Sequence, residues 1–272
     1  MNSSDFEHRS IHAFEFGKES EFMVEKGKYV IAGAKSEIGT VLADHLIKAG
    51  CELILISRSE QERSLPKNCI VLDKMDLTKS KCLSLVGETI SKHFDSKFTF
   101  IHSVGDFWEH KSLCVTGFDE VKRIINSHYV TLFGMLQTVI PIMKNVGGGK
   151  IVAFSCNSVK YNYPDMAAFT SAKAAVECLI KCTANEVLKH NIIANSFALP
   201  SIKTDKVIQT KPEQFSDGYM TLKDLIDTLY KTINSMSPYT TGNTISLVKY
   251  SHLFYHKSYY DRNKIVGDDN ND

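Results

Sequence analysis

The residues best suited to bind a charged ligand follow the first apolar run of the chain. The segment 32–39, with the sequence AGAKSEIG, carries Gly33 and Gly39 between this apolar run and a stretch of helical period. Glycines in a strand-to-helix turn allow backbone N–H groups to approach a phosphate closely. An ordinary tight turn has the same appearance, so the segment alone leaves both interpretations open.

Two cations lie near this turn. Ser57 and Arg58 close the second apolar run, where a dinucleotide with a free ribose 2′-hydroxyl usually meets Asp or Glu. Arg58 offers a guanidinium instead, and Lys35 in the turn adds a second positive charge. Both suit a ribose 2′-phosphate. The alternative for Arg58 is a solvated surface charge.

The elements that must position these residues follow an alternating pattern. Apolar runs alternate with stretches of helical period, which predicts repeated βαβ units. We therefore expect an α/β, Rossmann-like, doubly wound, seven-stranded parallel sheet with helices on both faces and the ligand at the carboxyl ends of the strands. Thr78 is the expected cap of the second helix. The predicted strands are 28–33, 52–57, 69–72, 98–102, 150–155, 192–197 and 244–248, and the main helices are 38–49, 79–94, 118–145 and 165–190.

A longer set of matches resembles the short-chain dehydrogenase/reductase family. Phe169-Thr-Ser-Ala-Lys173 is similar to the Tyr-x-x-x-Lys helix of that family, with phenylalanine in place of tyrosine. The turn at 32–39 resembles Thr-Gly-x-x-x-Gly-x-Gly, with Glu37 in place of the middle glycine, a change expected to weaken phosphate binding without abolishing it. In order and spacing, the resemblance covers residues 28–248.

The resemblance implies a nicotinamide cofactor, and the cations favour NADP(H) over NAD(H). The segment at 102–105 lies where the family has Asn-Asn-Ala-Gly, and 198–204 lies where it has Pro-Gly-x-x-x-Thr. The cofactor-binding residues expected from the motifs are Gly33, Lys35, Ser36, Ile38, Gly39, Ser57, Arg58, Asp76, Leu77, Gly105, Lys173, Ile202 and Thr204.

The same resemblance assigns the catalytic positions, which in the family hold Asn, Ser, Tyr and Lys. They fall on His128, Cys156, Phe169 and Lys173, so only the lysine is retained. Without a phenol the site lacks a general acid, which typically contributes about 10²–10⁴ in rate. Cys156 and His128 are the remaining candidate proton donors. The alternative for Cys156 is a small buried residue at a strand end, and the alternative for His128 is a structural histidine.

Two functions follow from this site. The first is an NADP(H)-dependent oxidoreductase that reduces a conjugated C=C bond or another small organic substrate, with the proton supplied by water, Cys156 or His128. The second is a catalytically inactive NADP(H)-binding protein that serves as a partner subunit or a sensor. The substrate cannot be named from the sequence.

Bulk properties exclude several other classes. The 272 residues carry a formal net charge of +1, which argues against nucleic acid or an anionic membrane as a partner. No apolar run approaches the roughly 20 residues of a membrane span, and no secretory signal is seen. The seven cysteines and ten histidines lack ligand spacing, so we expect a cytoplasmic protein with reduced thiols and no metal.

The expected organisation is an N-terminal extension at 1–26, a single domain at 27–250 and a C-terminal tail at 251–272. Residues 205–222 are expected to cover the site. The resemblance also implies a homodimer or homotetramer, formed by the helices at 118–145 and 165–190.

Overall fold

The computed structural model describes residues 26–60, 64–108, 110–210 and 219–247. Its sheet has the order β3-β2-β1-β4-β5-β6-β7, and every neighbouring pair is parallel, as expected for a doubly wound fold. The prediction of a seven-stranded Rossmann-like sheet is confirmed. The strands are β1 (Lys28–Ala32), β2 (Glu52–Ile56), β3 (Cys69–Leu72), β4 (Phe98–His102), β5 (Gly149–Cys156), β6 (Ile192–Leu199) and β7 (Thr244–Ser246).

Helices cover both faces of this sheet. The helix expected at 118–145 is divided by a π-helical turn, Asn126–Val130, into α3 and α4. The helix expected at 165–190 begins at Ala167 and ends in a 3₁₀ turn. The α-helices are α1 (Glu37–Lys48), α2 (Ser80–His93), α3 (Phe118–Ile125), α4 (Thr131–Asn145), α5 (Ser158–Tyr161), α6 (Ala167–Val187), α7 (Asp205–Thr210) and α8 (Leu222–Ser235).

The core consists of two apolar layers because successive side chains of a strand point to opposite faces. In β1, Val30 packs into the layer that contains α2, α4 and α6, whereas Ile31 packs into the layer of α1 and α8. The central strands are apolar on both faces, as in other buried parallel sheets. The two helical layers leave the carboxyl edge of the sheet to the loops.

Two details differ from the expectations. Thr78 does not cap α2; its hydroxyl donates to Asp76 Oδ1 at 2.6 Å, and the residue before the helix is Lys79. Ala172 and Val176, on the helix at 165–190 that was expected to pair between protomers, are buried inside the chain. The apolar spacing of α6 therefore reflects packing against the sheet at these two positions.

The extension expected at 1–26 and the tail expected at 251–272 fall almost wholly outside the described residues, and so does 211–218 of the covering segment. In the described part of that segment, α7 follows β6 and Ile202 pairs with Met220. Among the described residues no helix is long and apolar enough to cross a membrane. In the same part of the chain no group of three or more His, Cys, Asp or Glu side chains forms a metal site.

Candidate active site

The turn between β1 and α1 has the close backbone contacts expected of a phosphate-binding turn. Gly33 has φ of +84°, and a Cβ there would lie 2.6 Å from the carbonyl oxygen of Ser103. A Cβ at Gly39 would lie 2.2 Å from the Gly33 carbonyl oxygen. Ser36 caps α1, because its Oγ accepts from the Gly39 N–H at 3.0 Å. Both glycines are therefore required by the backbone itself, before any ligand is considered.

Arg58 follows β2, and Lys35 reaches the same loop from the turn after β1. Lys35 Nζ donates to the carbonyl oxygen of Glu60, two residues beyond Arg58. The guanidinium of Arg58 is 80% exposed, and one of its nitrogens lies 3.8 Å from Asp106 Oδ1. The Ser57 hydroxyl lies 2.7 Å from Asp73 Oδ1 and is buried. The structure thus brings Lys35 and Arg58 to the same turn, with Arg58 open to solvent.

The segment that follows β6 contacts the start of α1, next to the turn between β1 and α1. Thr204 Oγ1 accepts from the Val207 N–H at 3.3 Å in the first turn of α7, and Ile202 is buried. Glu37 reaches across from α1, and its Oε2 accepts from the backbone N–H of Asp205 at 2.8 Å. Glu37, which replaces the middle glycine of the family motif, therefore contacts the segment expected to cover the site.

Asp76 and Leu77 lie beyond β3 in the predicted order. The carboxylate of Asp76 accepts from both the hydroxyl and the N–H of Thr78, which lowers its pKa below the usual value. Leu77 is buried. Asp76 therefore stays ionised and is held in a fixed orientation by its neighbour.

The catalytic half centres on an aromatic contact. The ring of Phe169 meets the imidazole of His128 edge-on, with 5.2 Å between centroids and an angle of 88° between planes. His128 lies in the π-helical turn and is 3% exposed, and its Nε2 lies 3.1 Å from the carbonyl oxygen of Asp106. Because a carbonyl only accepts, Nε2 carries the proton, and Nδ1 is left without a partner. Burial and the nearby Lys173 lower the pKa of His128 well below its usual value, so the imidazole is neutral.

Lys173 is buried behind the Phe169 ring. Its Nζ lies 5.6 Å from the ring centroid and donates to the carbonyl oxygen of Phe154 at 2.8 Å. Burial lowers the pKa of Lys173 to about 8. An ammonium has three protons, so this group has donor capacity beyond the one bond to Phe154.

Cys156 lies at the end of β5, where its sulfur accepts from the Ser158 N–H at 3.4 Å. The thiol is half-buried. The preceding Ser155 points to the opposite face, with its hydroxyl 2.6 Å from Glu177 Oε1 on α6. Ser155 and Cys156 thus point to opposite faces of β5, and Ser155 is the one that faces α6.

Three residues near this site were missed from the sequence. Trp108 is 5% exposed, packs in the same apolar cluster as Phe169 and donates from Nε1 to the Asp165 carbonyl oxygen at 2.8 Å. Asp106 contacts Arg58, His128 and Arg123, the last at 2.9 Å. Asp106 and Trp108 follow Gly105 closely in the sequence. Trp108 is the single tryptophan of the chain, and its position next to a family motif could have identified it as a site residue.

The third is His102 at the end of β4, which belongs to the segment 102–105 but was given no role of its own from the sequence. Its Nε2 lies 3.0 Å from Thr131 Oγ1, and the Thr131 hydroxyl donates its proton to the Ser127 carbonyl oxygen. Nε2 is therefore the donor to Thr131. Burial, with a smaller effect from Lys173, lowers the pKa of His102 to about 3. His102 is therefore a neutral structural partner of the π-helical turn.

The fold and these motifs define a family. Residues 28–214, more than half of the chain, match the short chain dehydrogenase family. The chain belongs to that family.

Individual relatives are distant. The fatty acyl-CoA reductase of Acinetobacter baylyi is 26% identical over 197 residues, which are 68% of this chain and 66% of that protein. The very-long-chain 3-oxoacyl-CoA reductase of Bos taurus is 24% identical over 200 residues, 67% of this chain and 61% of that protein. The chain thus spans slightly less than two thirds of both relatives.

Solved structures share the fold. ElxO with NADP bound has a TM-score of 0.75 at 20% identity, covering 85% of this chain and 100% of that chain. ElxO with a tyrosine-to-phenylalanine substitution and NADPH bound has a TM-score of 0.73 at 21% identity, covering 82% and 97%. A 3-ketoacyl-(acyl-carrier-protein) reductase from Brucella melitensis complexed with NADH has a TM-score of 0.74 at 18% identity, again covering 82% and 97%.

Proposed function

We propose that this protein is an NADP(H)-dependent oxidoreductase that reduces a conjugated carbon–carbon double bond and is poorly suited to simple carbonyls. The observation that carries the proposal is the contact between Phe169 and His128 in front of Lys173. The position that holds the phenol in the resembling family here holds a phenylalanine ring perpendicular to a neutral imidazole. A substrate oxygen would find no hydroxyl donor there.

The cofactor half fits a dinucleotide with a 2′-phosphate. Arg58 is exposed and Lys35 reaches the same loop, while Gly33 and Gly39 allow the close backbone packing of the turn after β1. Structural neighbours with bound NADP or NADPH support this choice, but another neighbour holds NADH. The preference for NADP(H) therefore rests on the two cations of this chain. Glu37 is the one residue of the turn whose charge opposes a phosphate.

The bound nicotinamide would supply a hydride to a substrate carbon. Lys173 would hold the nicotinamide ribose, since its ammonium has donors beyond the Phe154 carbonyl. The negative charge that develops after hydride addition to an enone spreads over an enolate, so this reaction depends less on a positioned acid than the formation of a simple alkoxide does. The Cys156 thiol or water can provide that proton. His128 is a poor source, because its one N–H is engaged by Asp106.

A matched substrate pair tests this proposal. Cyclohex-2-enone should be reduced to cyclohexanone with consumption of NADPH at 340 nm, whereas cyclohexanone itself should give only background. Deuteride from labelled NADPH should appear at the β-carbon of the product. Faster turnover of cyclohexanone than of the enone, after removal of contaminating reductases, would contradict the proposal.

The second candidate is a catalytically inactive NADP(H)-binding protein. It is favoured by one observation, namely that the buried imidazoles of His102 and His128 both have lowered pKa values and direct their Nε2 protons into the protein. Saturable NADPH binding in a fluorescence titration, with no turnover of a panel of ketones, aldehydes and enones, would select this function over the first.

We also propose self-association through the outer face of α4. Phe133 of α4 is 41% exposed, and its ring stacks at 6.3 Å on Tyr129 of the preceding π-helical turn. Ala172 and Val176 cannot contribute, because both are buried within the chain. A homodimer would cover the exposed ring.

A further inference from the structure

Glu37 joins two parts of the chain that are 168 residues apart in sequence. Its side chain leaves the first turn of α1 and is exposed apart from its contact with Asp205. The carboxylate accepts the backbone N–H of Asp205, the first residue of α7, at 2.8 Å. It therefore spans the gap between the turn after β1 and the segment after β6.

This gap lies outside the carboxyl ends of the strands, beside the start of α1. In a doubly wound sheet the pyrophosphate of a dinucleotide occupies that place, because free N–H groups at the start of the helix favour an anion. The Glu37 carboxylate is itself an anion, and it already uses a backbone N–H that faces the gap. Lys35, the cation closest to it in sequence, is turned towards the Glu60 carbonyl.

We propose that the Glu37 carboxylate is an internal competitor for the dinucleotide pyrophosphate. The bond from Asp205 to Glu37 keeps the segment after β6 against α1 in the free protein, and it opens when the dinucleotide binds. Glu37 thereby sets the affinity for the cofactor. This inference rests on the proposed binding of NADP(H) and adds the residue that opposes it.

Two substitutions separate the charge of Glu37 from its hydrogen bond. Glu37→Gln keeps the size and an oxygen acceptor for Asp205 but removes the charge, whereas Glu37→Gly removes both. Because the carboxylate is exposed, its repulsion of two phosphate charges is partly screened, and we expect NADPH to bind about three- to tenfold tighter in each variant. Glu88→Gln on α2 is the matched control, since it removes an exposed carboxylate from the opposite helical layer.

The measurement is the dissociation constant of NADPH by fluorescence titration, together with that of adenosine 2′-monophosphate by calorimetry. The second ligand carries the ribose phosphate but no pyrophosphate, so Glu37→Gln should change its affinity less than twofold. Thermal melting of each variant shows whether it is folded; the glutamine variant carries the test if the glycine variant is unstable.

Unchanged or weaker NADPH binding in Glu37→Gln would overturn the inference, because Glu37 would then assist the closed segment rather than compete. The same gain with adenosine 2′-monophosphate would also overturn it, since the effect would not concern the pyrophosphate. If native and variant proteins bind neither ligand, the proposed function itself fails, and this inference fails with it.

Discussion

The imidazole of His128 occupies the space that a side chain at residue 105 would need. A Cβ on Gly105 would lie 2.1 Å from His128 Cε1 and 2.3 Å from Nδ1. Gly105 is thus explained by packing against this imidazole. The same imidazole lies perpendicular to the Phe169 ring, so one side chain contacts both the loop after β4 and the residue at the family's tyrosine position.

Gly105→Ala should destabilise the protein by roughly 1–3 kcal/mol, because the new methyl group must displace a buried ring. His128→Ala should also destabilise it by leaving a cavity. The double variant should lose less stability than the sum of the two single losses, since the methyl group added at position 105 then has room. Urea denaturation of the four proteins gives the coupling free energy. Additive losses would show that His128 can move away freely.

Restoring the missing donors should create carbonyl reduction. Phe169→Tyr with Cys156→Ser places a phenol and a hydroxyl at the two changed positions while Lys173 is still present. NADPH-dependent reduction of cyclohexanone should rise above background in the double variant and less in either single variant, because the two donors act as a unit. If the double variant remains at background while binding NADPH normally, the imidazole of His128 limits the site, and adding His128→Asn is the next comparison.

NADPH should bind more tightly than NADH. Arg58→Ala should reduce the affinity for NADPH by about tenfold and leave that for NADH nearly unchanged, because a charge-assisted bond to the 2′-phosphate contributes about 1.5 kcal/mol. Lys181→Ala, which removes an exposed cation from α6, is the control. Equal affinities of the native protein for the two cofactors at matched salt would contradict the role of Arg58.

Lys173 should make stability depend on pH in a defined direction. Its pKa falls from 10.5 to about 8 on folding, so between these values the unfolded chain binds more protons than the folded one. The free energy of unfolding therefore rises between pH 8 and 10.5, as Lys173 loses its proton in the folded protein. Below pH 8 the buried ammonium is charged, and its destabilising effect is complete. Lys173→Met should stabilise the free protein at pH 7, by at most about 3 kcal/mol, and this gain should shrink above pH 8.

Denaturation of Lys173→Met and of Lys181→Met, an exposed lysine on the same helix, tests this from about pH 6 to 10. A pH-independent difference between native and Lys173→Met would show that the ammonium is well solvated. NADPH affinity is a second readout, because Lys173→Met should weaken it if the ammonium holds the ribose. Unchanged affinity would mean that the nicotinamide half does not dock beside α6.

Phe133→Glu should weaken self-association, because it replaces an exposed apolar ring of α4 with a charge. Light scattering should show a dimer or tetramer for the native protein and a smaller species for the variant. Leu85→Glu on α2, another exposed apolar side chain, is the control and should not change the mass. A monomeric native protein would refute the proposal.

The sequence by itself determined the sheet. Short apolar runs separated by helical periods located all seven strands within about two residues, because the central strands are buried on both faces and must be largely apolar. The short-chain dehydrogenase motifs likewise supplied the order of the site residues, including the phenylalanine at the tyrosine position. These features depend on local composition and spacing, which a linear chain records directly.

Only the tertiary structure decided which groups face one another. The contact of Glu37 with Asp205 joins residues at opposite ends of the domain, and the π-helical turn that buries His128 against Gly105 has no local sequence signal. Protonation was also decided by the fold: burial makes His128 neutral and brings the pKa of Lys173 to about 8. Desolvation depends on every residue that surrounds a group, and those neighbours come from β4, β5, α3 and α6 together.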